Sequence, residues 1–182
     1  MAKIGLLGGS FNPVHEGHIY IARTVRKALG LKEVWFLPAM QNPFKDDNIP
    51  DIWTRARLIK KAIAPYRHLK VNMVETKNTV PSYSINTARR LTREYPEHEF
   101  YWIIGSDNIA GLKDWQSIDE LKKLVTFVCA DRGDECSDPD VLMVHCPVHP
   151  ASATAIRNGD YRYVPKCIRE DVKQIYGTET AD

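Results

Sequence analysis

A chain of 182 residues, 43% apolar and 26% charged, has the length and balance of one soluble globular domain. Its net charge of +2 is too small to argue for a nucleic-acid or membrane partner. The basic residues Lys77, Arg89, Arg90 and Arg93 read most simply as a solvated helix face. Met1-Ala2-Lys3 runs into a strand without a signal-peptide layout, and no apolar run approaches the ~20 residues of a membrane helix, so a cytoplasmic protein is expected.

The predicted elements alternate. Residues 3–8 form a strand around Ile4-Gly5-Leu6-Leu7, and 16–29 a helix with the stripe Ile19, Ile21, Ala22, Val25, Ala28, Leu29, closed by Gly30. Residues 34–37 are a short buried strand, followed by a polar, Pro-containing loop through Asp51, which stands near the N-cap of a helix over 53–64. Residues 71–74 alternate like a strand, 76–83 are a loop, and 84–95 a helix. The apolar run 100–104 is a buried strand ending at Gly105, followed by a helix over 117–124 and a strand over 125–130. A turn-rich stretch, 133–139, leads to a strand over 141–145 and to tail helices near 153–158 and 166–176, with Pro165 at a helix start. Trp35 and Trp102 fall inside strand patterns and read as core, while Trp53 opens a helix without an assigned role.

Strands alternating with helices predict a single α/β domain over 1–182, with a parallel sheet covered on both faces and a helical tail over about 152–176. Ligands of such sheets bind beyond the carboxyl ends of the strands. Gly8-Gly9, Gly105-Ser106-Asp107 and Asp131-Arg132 are all expected there, converging on one crevice. Cys129, Cys136, Cys146 and Cys167 contain no C-x-x-C pair and read as reduced thiols. A zinc site from Cys136, His145, Cys146 and His149 is disfavoured, because adjacent strand residues face opposite sides and the spacing matches no common zinc pattern.

The chemistry concentrates in residues 8–18, Gly8-Gly9-Ser10-Phe11-Asn12-Pro13-Val14-His15-Glu16-Gly17-His18. Glycines after a strand let a phosphate approach the backbone, and the following helix start supplies N–H groups and a partial positive charge. His15 and His18, at i and i+3, share one face of the first turn. Neither a P-loop nor a G-x-G-x-x-G fingerprint is present.

His15-Glu16-Gly17-His18 resembles the H-x-G-H mark of a nucleotidyltransferase superfamily, and Ser152-Ala153-Thr154-Ala155-Ile156-Arg157 its second mark, [ST]-x-T-x-x-[RK]. Within that group the chain is similar to the bacterial nicotinate-nucleotide adenylyltransferases. The likeness extends through the 8–13 segment, Ser82-Tyr83-Ser84-Ile85-Asn86-Thr87, Gly105-Ser106-Asp107 and Leu112-Lys113-Asp114-Trp115, from residue 3 to about 176. It implies a Rossmann-like three-layer sandwich with a mainly parallel sheet, of nucleotidyltransferase type. It also implies adenylyl transfer from ATP to nicotinate mononucleotide, giving deamido-NAD and pyrophosphate in NAD biosynthesis.

The residue types suit these roles, since such transfers depend on positioning and charge stabilisation. Gly8, Gly9, Ser10 and Phe11 would border the triphosphate. His15 and His18 would donate N–H bonds to the α- and β-phosphates, and Arg157 would grip the outer phosphates through its planar fork. Ser152 and Thr154 would add hydroxyls and N–H groups, although that triplet could cap any helix. Asp107, with Gly105, would take the ribose hydroxyls, unless it is merely a helix cap; Trp115 would stack on the pyridine ring, unless it is merely core.

By the family pattern Tyr83 and Ser84 would meet the nicotinate carboxyl, and Lys45 and Arg132 the phosphate of the mononucleotide. The chain departs from that pattern at Ser84 (usually Thr), at Asn86 (usually Asp), and after Arg132-Gly133, where an acidic loop replaces R-P-G. Magnesium is expected to be held by ATP's phosphates and water, without a dedicated protein site. A nicotinamide-mononucleotide adenylyltransferase stays open, as does a nucleotide-binding regulatory protein without catalysis. Phosphopantetheine and cytidylyl transfer are disfavoured by His15 and by the 8–13 segment. The oligomeric state is left open, a homo-oligomer included.

Overall fold

The computed structural model describes residues 1–40, 49–79, 82–131 and 138–177. Its six strands are β1 (Ala2–Gly9), β2 (Glu33–Pro38), β3 (Leu69–Val71), β4 (His98–Gly105), β5 (Thr126–Asp131) and β6 (Val141–His145). They form one sheet in the order β3-β2-β1-β4-β5-β6, parallel throughout. The helices are α1 (Glu16–Leu29), α2 (Ile52–Ile63), α3 (Ser84–Glu94), α4 (Ile118–Leu124), α5 (Ala153–Arg157) and α6 (Arg169–Tyr176), with short 3-10 turns between them.

Alternation along the strands divides the core into two layers. Leu7, Phe36, Ile103 and Val128 pack with Ile19, Ala22, Leu58, Ile59 and Val172 of α1, α2 and α6. Leu6, Trp35, Trp102 and Phe127 pack with Ile85, Leu91 and Leu121 of α3 and α4. Trp35 and Trp102 are therefore core, whereas Trp53 is 65% exposed. Gly30 ends α1 in the left-handed region (φ 61°), a conformation that favours glycine. Asp51 caps α2 through Thr54 N at 2.8 Å.

The third strand departs from expectation. Pairing with Val34–Phe36 begins at Leu69 and stops at Val71, not over 71–74. Asn72 N still donates to Phe36 O at 2.9 Å, but the Asn72 side chain then accepts from Val74 N at 2.9 Å. That local turn diverts the chain into a 3-10 turn, Val74–Lys77. Asp171 on α6 docks the tail to α2 by contacts to Lys61 Nζ (2.9 Å) and Arg57 (3.6 Å). Cys129 and Cys146 are buried, and burial pushes the Cys146 thiol up. Within the described residues no helix is long and apolar enough to cross a membrane.

Candidate nucleotide site

Parallel register brings the strand ends together: Gly9 lies opposite Pro38, and Gly105 opposite Ala130. Two clefts open along this carboxyl edge. One, of 370 Å³, is lined by Gly8, Gly9, Glu75, Ser84, Gly105 and Trp115 among others. The other, of 540 Å³, is lined by His15, His18, Asp107, Ser152 and Thr154 among others. Gly105, the last residue of β4, lines the first, while its neighbour Ala130 on β5 and Asp107, two residues on, line the second, so the two clefts are next to each other. A further cavity of 520 Å³ between α1 and the α2–β3 connection lies at the opposite, amino end of the sheet and contains no motif residue.

The histidine pair is built by the start of α1. His15 is its N-cap, with Nδ1 accepting from Gly17 N at 3.1 Å, and His18 Nδ1 accepts from His15 N at 3.1 Å. This reciprocal cap stacks the two rings, 3.7 Å between centroids, and Phe11 packs edge-on against His18 at 4.9 Å. Because each Nδ1 is an acceptor, a neutral ring carries its proton on Nε2. Gly17 is required by this packing: a Cβ there would lie 2.9 Å from His15 Cε1 and 3.2 Å from Ala151 Cβ.

The expectation of open N–H groups at this helix start is corrected. Glu16 N donates to Tyr163 O (2.9 Å), Gly17 N to His15 Nδ1 (3.1 Å) and His18 N to His15 O (3.1 Å). The imidazoles and the dipole, not backbone N–H groups, are what α1 presents to an anion.

The two terminal motifs touch. Arg157 Nη1 donates to Asn12 O at 2.8 Å across 145 residues of chain, and Nη2 reaches Thr154 Oγ1 at 3.3 Å. Arg157 is the last residue of α5, and Ser152 caps that helix through Ala155 N at 3.3 Å.

A family model described as cytidylyltransferase-like matches residues 6–159. A "Probable nicotinate-nucleotide adenylyltransferase" of Geobacillus thermodenitrificans is 38% identical over 192 aligned positions, covering 100% of this chain and 89% of the relative. One of the same name from Bacillus mycoides is 39% identical over 169 positions, covering 91% and 88%. The chain belongs to the nicotinate-nucleotide adenylyltransferase family. Its fold is shared with Plasmodium falciparum nicotinic acid mononucleotide adenylyltransferase complexed with NaAD (TM-score 0.77, 16% identity, covering 97% of this chain and 96% of that one). It is similarly shared with the same enzyme complexed with APC (TM-score 0.75, 17% identity, 97% and 96%).

Against this family pattern, His15, His18, Asp107, Ser152 and Thr154 meet in one cleft, with Arg157 beside them. Gly8, Gly9, Gly105, Ser84 and Trp115 meet in the other. Asp107 sits inside a 3-10 turn whose N-cap is Gly105, so it is no helix cap. Trp115 is half-buried, edge-on to Phe127 at 5.9 Å, and with Tyr83 and Ser84 continues the first cleft outward. The Phe11 ring is buried between His18 and Phe36, its backbone in the left-handed region (φ 48°). Ser10 is exposed and contributes its carbonyl to Arg55. Lys45 and Arg132 lie outside the described residues, as does Cys136 of the disfavoured zinc set.

Arg55 was not anticipated. Only 1% exposed, it donates to Pro50 O (2.8 Å), Ser10 O (2.7 Å) and Ala39 O (2.8 Å), fastening the glycine segment to the end of β2 and the start of α2. Burial lowers its pKa, with Tyr176 and Asp51 opposing. A readable signal existed, since Arg55 interrupts the apolar stripe Ile52, Ala56, Ile59, Ile63. Glu75 was missed as well. It is buried and accepts hydrogen bonds from Ser82 and Thr87, and no periodicity marks it out.

Proposed function

We propose that the protein transfers the adenylyl group of magnesium–ATP to nicotinate mononucleotide, giving deamido-NAD and pyrophosphate, a step of NAD biosynthesis. What supports this reading is the meeting of two chemically different clefts at Gly105–Asp107. One holds cationic and N–H donors suited to a triphosphate. The other holds an aromatic wall and a helix start suited to a pyridine carboxylate.

A phosphate oxygen of the mononucleotide attacks the α-phosphorus of ATP, the bond to the bridging oxygen of the β-phosphate breaks, and pyrophosphate carries that electron pair away. His15 and His18 donate through Nε2 to the oxygens on which charge accumulates, and Arg157 takes the departing pyrophosphate. Asp107 accepts from ribose hydroxyls. The metal enters with its substrate. In this reading magnesium is borne by ATP's phosphates and water.

Trp115 stacks on the pyridine. Tyr83, the N-cap of α3, makes no side-chain cap, and its carbonyl takes Asn86 N (3.0 Å) and Thr87 N (3.4 Å), which leaves the N–H groups of Ser84 and Ile85 as those without a partner within the helix. They suit a carboxylate and oppose the NH₂ of an amide, which favours the acid over nicotinamide mononucleotide. The reading also assigns the enzyme to the cytoplasm, where cysteine thiols stay reduced.

Pyrophosphate release from magnesium–ATP, measured with nicotinate mononucleotide, nicotinamide mononucleotide and phosphopantetheine in parallel, tests the proposal. The acid is expected to have the highest kcat/KM. ATP binding without release for any acceptor would favour a regulatory binding protein, and preference for the amide would reassign the substrate.

A further inference from the structure

We infer that Glu75 is a specificity-determining positioning residue, which holds the start of α3 in the single arrangement that distinguishes a pyridine carboxylate from its amide. The inference rests on the function proposed above and adds a residue to it.

Four side chains close a ring behind the cleft. Glu75 accepts from Ser82 Oγ on one oxygen and from Thr87 Oγ1 on the other. Asn78 Nδ2 approaches the same two hydroxyls, at 3.2 Å and 2.9 Å. An amide nitrogen only donates, so each hydroxyl accepts from Asn78 and sends its own proton to Glu75. The direction of Asn78 is set by Arg90, whose Nε donates to Asn78 Oδ1 at 3.3 Å while its Nη2 is held by Lys77 O at 2.9 Å. Every proton in the ring then has one place to go, and both Glu75 oxygens must be acceptors.

The ring grips the segment proposed to read the substrate. Ser82 precedes Tyr83 and Ser84, and Thr87 stands at the end of the first turn of α3. Glu75, Ser82 and Ser84 share the wall of the 370 Å³ cleft with Trp115. A donor set held in this way cannot rotate to satisfy an amide through its oxygen alone, whereas a loosened one can. Glu75 carries a negative charge close to an anionic substrate, so its value lies in orientation and not in attraction.

Glu75→Gln in the full-length protein places an NH₂ against a hydroxyl that already receives a donor, and opens the ring. Thr87→Val keeps the shape of a buried side chain while removing both bonds of its hydroxyl, the one given to Glu75 and the one received from Asn78, and leaves the Ser82–Glu75 bond in place. The measurement is kcat/KM for nicotinate and nicotinamide mononucleotides, together with the KM for ATP and the thermal midpoint. The acid-to-amide ratio is expected to fall about tenfold or more in Glu75→Gln, and by less in Thr87→Val, mainly through a higher KM for the acid. The KM for ATP stays near that of the parent. If the variants lose thermal stability but keep the parental ratio, the ring is merely structural and the inference is overturned. Should Glu75→Gln fail to fold, the ratio in Thr87→Val decides. If the parent protein turns over neither mononucleotide, the proposed function fails first and takes this inference with it.

Discussion

In the phosphate corner the functional groups brace one another directly: His15 and His18 cap the same turn, and Arg157 reaches across to Asn12. Around Tyr83, Ser84 and Trp115 the groups proposed to meet ligand are held from behind, by Glu75, Asn78 and Thr87 on one side and Phe127 on the other. The first region carries its support within its own motifs. The second borrows support from a hydrogen-bonded ring outside its own reading segment, so chemistry and specificity are separable by mutation.

The largest effect is expected in the first region. His18→Ala stays folded but loses about 10²–10³ in kcat, as removal of one preorganised donor does, with a much smaller change in KM for ATP. Steady-state kinetics check this, and near-parental turnover would remove His18 from the chemistry. Next comes the joint between the regions. Arg55→Met removes the donor from three part-buried carbonyls and should lower stability by roughly 1–3 kcal/mol in denaturant titration; an unchanged midpoint would mean that the clamp contributes nothing. Trp115→Ala sharpens the contrast from the other side. Stacking on a flat base contributes roughly 1–3 kcal/mol, so the KM for the mononucleotide should rise about tenfold while that for ATP stays put. Equal changes in both would show that the ring does not stack there.

The smallest effect is a titration. Burial pushes the phenols of Tyr101 and Tyr176 up to about 12, reinforced in Tyr101 by the bond to Glu99 and opposed in Tyr176 by Arg55 and Arg157. A raised acid pKa favours the folded state fully below the unfolded value of about 10, and the contribution is lost as pH rises through the folded value. Ultraviolet titration should therefore contain a late phase that disappears in the double variant Tyr101→Phe, Tyr176→Phe. Loss of that phase at ordinary tyrosine pH in the parent would contradict the burial.

Much of this molecule is legible without coordinates because its signals are local. Five of the six strands and the helices of the sandwich follow from apolar runs, caps and the Gly30 stop, and β3 was misplaced only because its pairing with β2 ends where the Asn72 turn begins. His15 and His18 are three residues apart, so a single helical turn joins them whatever the rest of the chain does. Arg157 could be named from its motif, but its contact with Asn12 could not.

The amino-acid sequence by itself determined the parallel α/β order, the strand–helix junction at residues 8–18 and the set of residues fit to handle a nucleotide. Folding decided how they are held. The α1 N–H groups are taken up by Tyr163 and the histidines, Arg55 joins three carbonyls from separate segments, and the Glu75 ring closes over twelve residues. The reason is physical: periodicity and capping act between neighbours, whereas a buried polar group is satisfied only by partners that the fold brings to it.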